Sequence, residues 1–101
     1  MESLRKENCM KHLTLALLEL GVPDVVIKAW GTAMDVRGPE VIEALIQRAS
    51  YIKVEQVRLI SHSYADYMER LAVIHAETSG LLAAWSKDLE ELELIEAYGR
   101  D

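Results

Sequence analysis

Past Pro39 this chain contains no further proline, and only Gly80 and Gly99 interrupt the run to its end. Nothing there blocks an intrahelical hydrogen bond, so the apolar pattern decides what the segment becomes. Val57, Ile60, Tyr64, Tyr67, Leu71, Ile74, Thr78, Leu81, Trp85, Asp88, Leu92 and Ile95 alternate at spacings of three and four. That alternation holds one stripe of a helix against a neighbour. Only Thr78 and Asp88 in it are neither apolar nor aromatic. A second stripe runs beside it through Val54, Met68, His75, Leu82 and Leu89. Two adjacent stripes call for two neighbouring helices, as in a bundle or a dimer of hairpins.

The pattern changes phase upstream. Val41, Ile42, Leu45, Ile46, Ala49 and Ile52 make a good stripe, but the downstream register carried backwards meets Lys53 and Ser50. A bend, a stutter or a break is therefore expected near 50–53. At Gly80 the register runs straight through, from Thr78 to Leu81 to Trp85. That favours a continuous or bent helix there, with a hairpin at Thr78-Ser79-Gly80 as the alternative. One long element is predicted over 39–98, with candidate breaks at 50–53 and 79–80.

Shorter helices precede it. Cys9, Leu13, Ala16, Leu17 and Leu20 share a face and predict a helix over 2–20. Gly21 is suited to end it in the left-handed conformation, and Pro23 cannot continue it. A second helix is predicted over 23–34, with Val26, Trp30 and Ala33 on its inner face. Gly31 inside it costs about 1 kcal/mol relative to alanine, so packing must hold it. Asp35 to Pro39 reads as a linker, with Gly38 ending one helix and Pro39 opening the next. The expected fold is all-α. Short N-terminal helices pack on a long heptad-patterned helix, within one domain over 1–101, and homodimerisation completes the bundle.

With 101 residues, 50% of them hydrophobic, the chain can build one core but covers its apolar surface poorly. Its net charge is −6, and the distribution is uneven. Residues 1–65 hold eight acidic and eight basic groups, whereas 66–101 hold nine acidic and three basic. The acidic end repels phosphate backbones, so nucleic acid is not an expected direct partner. It attracts basic protein surfaces, although a solvated face that keeps the chain soluble is the ordinary reading of such an end. Cys9 is the single cysteine and reads as a small core residue. With no intrachain disulfide, no signal sequence and no run of roughly 20 apolar residues, a cytoplasmic, membrane-free protein is expected.

Catalytic chemistry finds little footing. His62, Asp66 and Glu69 stand a turn apart and could line a metal, but no Glu-x-x-His pair accompanies them. The phosphate-loop, nucleophile-elbow, Cys-x-x-Cys and His-Glu-x-x-His patterns are absent. No catalytic residue, cofactor or metal is assigned. Arg70 and His75 form an Arg-x4-His spacing that resembles the signature of the HEPN ribonucleases. The apolar residues between them, Leu71 to Ile74, depart from that family's polar position after the arginine.

Tyr67-Met68-Glu69, followed by His75-Ala76 and Ser79-x-Leu81, resembles a segment of the TraM-type quorum-sensing antiactivators, over about residues 67–86. The resemblance implies a small helical dimer that sequesters a transcription factor. The extension past Trp85 departs from that family's shorter ending. The residues themselves point to protein binding as well, because tyrosine, tryptophan and methionine favour interfaces. The expected partner surface is Tyr64, Tyr67, Met68, Leu71, His75, Leu82 and Trp85, although intramolecular core is the ordinary use of such a stripe. The expected function is a regulator that inhibits or sequesters another protein. The alternatives are a structural subunit of a helical oligomer, a HEPN-like ribonuclease and an acidic DNA mimic.

Overall fold

The computed structural model describes residues 10–98, without the side chain of Tyr98. The predicted helical start over 2–9, Cys9 included, lies outside the described residues. Among the described residues there are four helices and no strand: α1 Lys11–Glu19, α2 Asp24–Arg37, α3 Glu40–Ile60 and α4 Tyr64–Tyr98.

Each connection follows from local chemistry. α1 ends as Gly21 was expected to end it, at a positive φ of 80°. The Val22 N–H donates to the Leu17 carbonyl and the Gly21 N–H to that of Leu18, the paired bonds of a Schellman stop. Val22 then tucks against the core beside Leu17. α2 stops at Gly38, whose φ of 98° few other residues adopt. Pro39 follows with φ −61°, already helical, and opens α3.

The predicted long helix over 39–98 is in fact two helices that form an antiparallel hairpin, and the break falls at neither candidate position. Residues 50–53 and 79–80 are helical, and the chain turns at Ser61-His62-Ser63. Ser61 is extended at φ −75°, ψ 138°. The Asp66 N–H donates to Ser63 Oγ at 3.1 Å, and the His62 N–H donates to Asp66 Oδ2 at 3.1 Å. The Ser63 bond satisfies an N–H that a new helix leaves open, the Asp66 carboxylate ties the preceding turn back to the helix, and together they start α4 there. A glycine inside a long, well-packed helix costs only about 1 kcal/mol, so Gly80 stays helical.

The expected phase shift near 50–53 is absorbed without a break. The inward-facing positions of α3 run Ile42, Ile46, Ser50, Val54 and Val57, with three successive steps of four. Such a run moves the inner face around an intact helix. α2 differs from its prediction by a rotation. Ile27, Trp30 and Met34 pack on the core, while Val26 is exposed.

The molecule is long and narrow, 58 × 22 × 21 Å. α1 packs on α4 and α2 on α3. Both short helices cover the half of the hairpin away from its turn. There Met10, Leu13, Leu17 and Ile27 close a core with Ile42, Ile46, Leu81 and Trp85. In the half nearer the turn Ile74 is the one buried residue among those described. Among the described residues no helix is long and apolar enough to cross a membrane.

Candidate interaction surface

A carboxylate inside the core positions the first helix. Asp88 belongs to the main stripe of α4 and is fully buried, at 0% exposure. Its Oδ1 accepts the His12 N–H at 2.9 Å, and its Oδ2 accepts the Leu13 N–H at 2.8 Å. Among the described residues no side chain near the start of α1 makes a cap of its own. A residue 75 positions away does so instead. Burial pushes the Asp88 carboxyl above its ordinary range, against the two backbone N–H bonds and the neighbouring His12, which pull it down. At the rim His12 Nε2 meets Glu91 Oε1 at 3.2 Å.

His12, Asp88 and Glu91 thus bring three donor atoms within 4.8 Å of one another. Both Asp88 oxygens are already engaged by backbone N–H groups, and the positive end of a helix dipole faces them. The arrangement works as a helix cap, which neither spacing nor periodicity along the chain could reveal. Its one trace in the sequence is an acidic residue inside an apolar stripe.

The His62, Asp66 and Glu69 row is organised differently from a ligand set. Asp66 accepts the His62 backbone N–H and also binds Arg70 Nε at 3.0 Å. The His62 N–H and then Arg70 hold the Asp66 carboxyl below its ordinary value. Arg70 and His75 lie five residues apart on one unbroken helix, roughly 140° apart around its axis. They point to different sides of the hairpin.

With α1 and α2 on one side, the hairpin keeps an open flank on the other. Leu89 and Glu91 are two residues, or roughly 200°, apart on α4, so the side bearing Leu89 turns away from α1. Tyr64, Met68, His75, Leu82 and Leu89 follow one another along that open flank. In the covered half it carries a groove lined by Glu43, Ala44, Gln47, Trp85 and Leu89. Near the turn the flank is aromatic. Tyr64 is 78% exposed and Met68 and His75 are exposed, and Tyr51 of α3 is exposed too.

The seven predicted partner residues are divided by the fold. Tyr64, Met68 and His75 stand on the open flank. Leu82 and Leu71 are half-buried on the same flank, and Tyr67 is half-buried as well. Trp85, at 2% exposure, belongs to the chain's own core. Tyr51 of α3 was missed because it stands outside both stripes, and it is exposed. The acidic groups Glu90, Glu93 and Glu96 are exposed on the last turns of α4. No protein-family model matches this chain, and neither a curated protein nor a solved structure matches it.

Proposed function

We propose that this chain is a small protein-binding regulator. It acts as a homodimer and inhibits or sequesters a partner, a transcription factor being the class that the antiactivator resemblance implies. The observation that carries the reading is the aromatic open flank. Tyr64, Met68 and His75 are exposed along one side of α4, and Tyr51 of α3 is exposed as well. Side chains of this kind bury large area and keep polar tips for hydrogen bonds, and buried clusters of them anchor interfaces. The acidic end of α4 steers a basic partner toward the molecule and governs on-rate more than affinity.

A photo-crosslinking residue at position 64 tests this in native lysate. One stoichiometric protein should be captured, and a Tyr51→Ala/Met68→Ala variant should lose it. Capture of nothing, or of the same set by the variant, sinks the reading.

A further inference from the structure

The other flank of the hairpin carries a separate argument. On α3, Leu45, Ile52 and Leu59 recur at intervals of seven and share one side. Leu45 packs against the core that the short helices close. Beyond the short helices the same side continues uncovered, with Ile52 46% exposed and Leu59 84% exposed. On α4, Val73 stands eighteen residues, about five full turns, before Glu91, which puts it on the side where α1 lies. Val73 is 58% exposed, and Ile60 beside the turn is exposed as well. The hairpin therefore has a helical layer over one half and an aliphatic shelf over the other.

We propose that a second copy of this chain docks on that shelf, through Ile52, Leu59, Ile60 and Val73, and supplies the missing layer. The proposal rests on the reading of the chain as a homodimer and states where the two copies meet. Two hairpins overlapping by their uncovered halves form a four-helix section with their short helices at opposite ends.

Area and charge select a second copy as the occupant. Four such side chains offer on the order of 300 Å² of apolar surface to cover. At the ~57% non-polar share of ordinary interfaces this corresponds to about 500 Å² per partner, or about 1,000 Å² in all, the lower edge for a specific association. The charge is self-complementary. Residues 48–77 carry Arg48, Lys53, Arg58 and Arg70 against Glu55, Asp66, Glu69 and Glu77, four of each sign. The whole net charge of −6 therefore lies outside this half. A twofold contact sets a patch against itself, which a charged patch resists and a neutral one allows. Lys53 Nζ and Glu77 Oε1, 3.4 Å apart, and the Arg70–Asp66 pair already neutralise one another within each copy. The overlap also keeps the acidic ends of the two copies far apart.

Sedimentation equilibrium of the full chain is the test, with Leu59→Glu and Val73→Lys on the shelf and Tyr64→Glu on the aromatic flank. All three sites are exposed, and circular dichroism checks that each variant is folded. The wild type and Tyr64→Glu should associate with micromolar dissociation constants toward twice 11.4 kDa. Each shelf variant should weaken association by ~100-fold or more, because a charge would be buried without a partner. A wild type that stays monomeric throughout overturns the proposal. So does a dimer that survives both shelf variants, or one that only Tyr64→Glu disrupts. If the shelf variants become monomeric yet still capture a protein through position 64, the dimer site stands and the partner site is independent of it. If the dimer behaves as stated and nothing is captured, the regulator reading alone fails.

Discussion

At Asp88 two backbone N–H groups of α1 depend on one carboxylate 75 and 76 residues further along the chain. Replacing Asp88 with alanine should lower stability by about 2–3 kcal/mol, since a buried donor left unpaired costs about 1–3 kcal/mol. Urea unfolding measures the loss, and amide exchange should quicken first in α1. The pH dependence has a definite sign. Burial raises the folded-state carboxyl above its ordinary value, so the proton binds the folded chain more tightly than the unfolded one. The resulting stability is fully present below the unfolded aspartate value of about 3.9 and is lost as pH rises through the elevated folded value. Relative to Asp88→Asn, which does not titrate, the wild type should therefore lose stability as pH rises above about 4. Asp66 behaves oppositely. Its carboxyl is lowered, so its contribution is present above the ordinary value and disappears only in stronger acid. Thermal unfolding of both proteins across that range separates the two effects.

Helix boundaries show how local signals compete. Val57, Ile60, Tyr64 and Tyr67 keep their three-four spacing across the turn, so periodicity alone reads a continuous helix. Ser63-Tyr64-Ala65-Asp66 carries the competing signal, a capping sequence whose serine stands one residue before the first residue of α4. Ser63→Ala should cost about 1 kcal/mol, measured by chemical unfolding, and should fray the first turn of α4. Gly80 offers the reverse case. A Cβ added there meets nothing within 4 Å, and the residue is helical. Gly80→Ala should raise stability by about 0.5–1 kcal/mol, read as a higher melting temperature. In α2 the stripe through Val26, Trp30 and Ala33 lies one residue away from the one through Ile27, Trp30 and Met34. On so short a helix both choices are apolar, and packing against Ile42 and Ile46 selects between them.

Across the whole molecule, stability is unevenly distributed. The covered half holds nearly every buried side chain, and the half near the turn holds Ile74. Trp85→Ala should cost about 3–5 kcal/mol, because it empties the centre of the covered half. Amide exchange should be fastest around residues 51–70 at low protein concentration, where two helices stand alone. It should slow there as concentration rises, if a second copy covers the shelf. Exchange unchanged by concentration would agree with a monomer and weigh against the shelf as a contact between copies.

The sequence by itself determined that this chain is helical and largely which residues face inward. Those properties follow from spacing, from proline and glycine, and from a count of apolar groups. Gly21, Gly38 and Pro39 act where they stand because their effects are local. Tertiary structure decided the rest. It made the long stripe two helices rather than one and took Trp85 into the core. It turned Asp88 into the cap of a helix near the other end of the chain, and it left one aromatic flank and one aliphatic flank open. Each of these depends on which segments meet, and periodicity records the side of a helix that is apolar but not the segment that covers it.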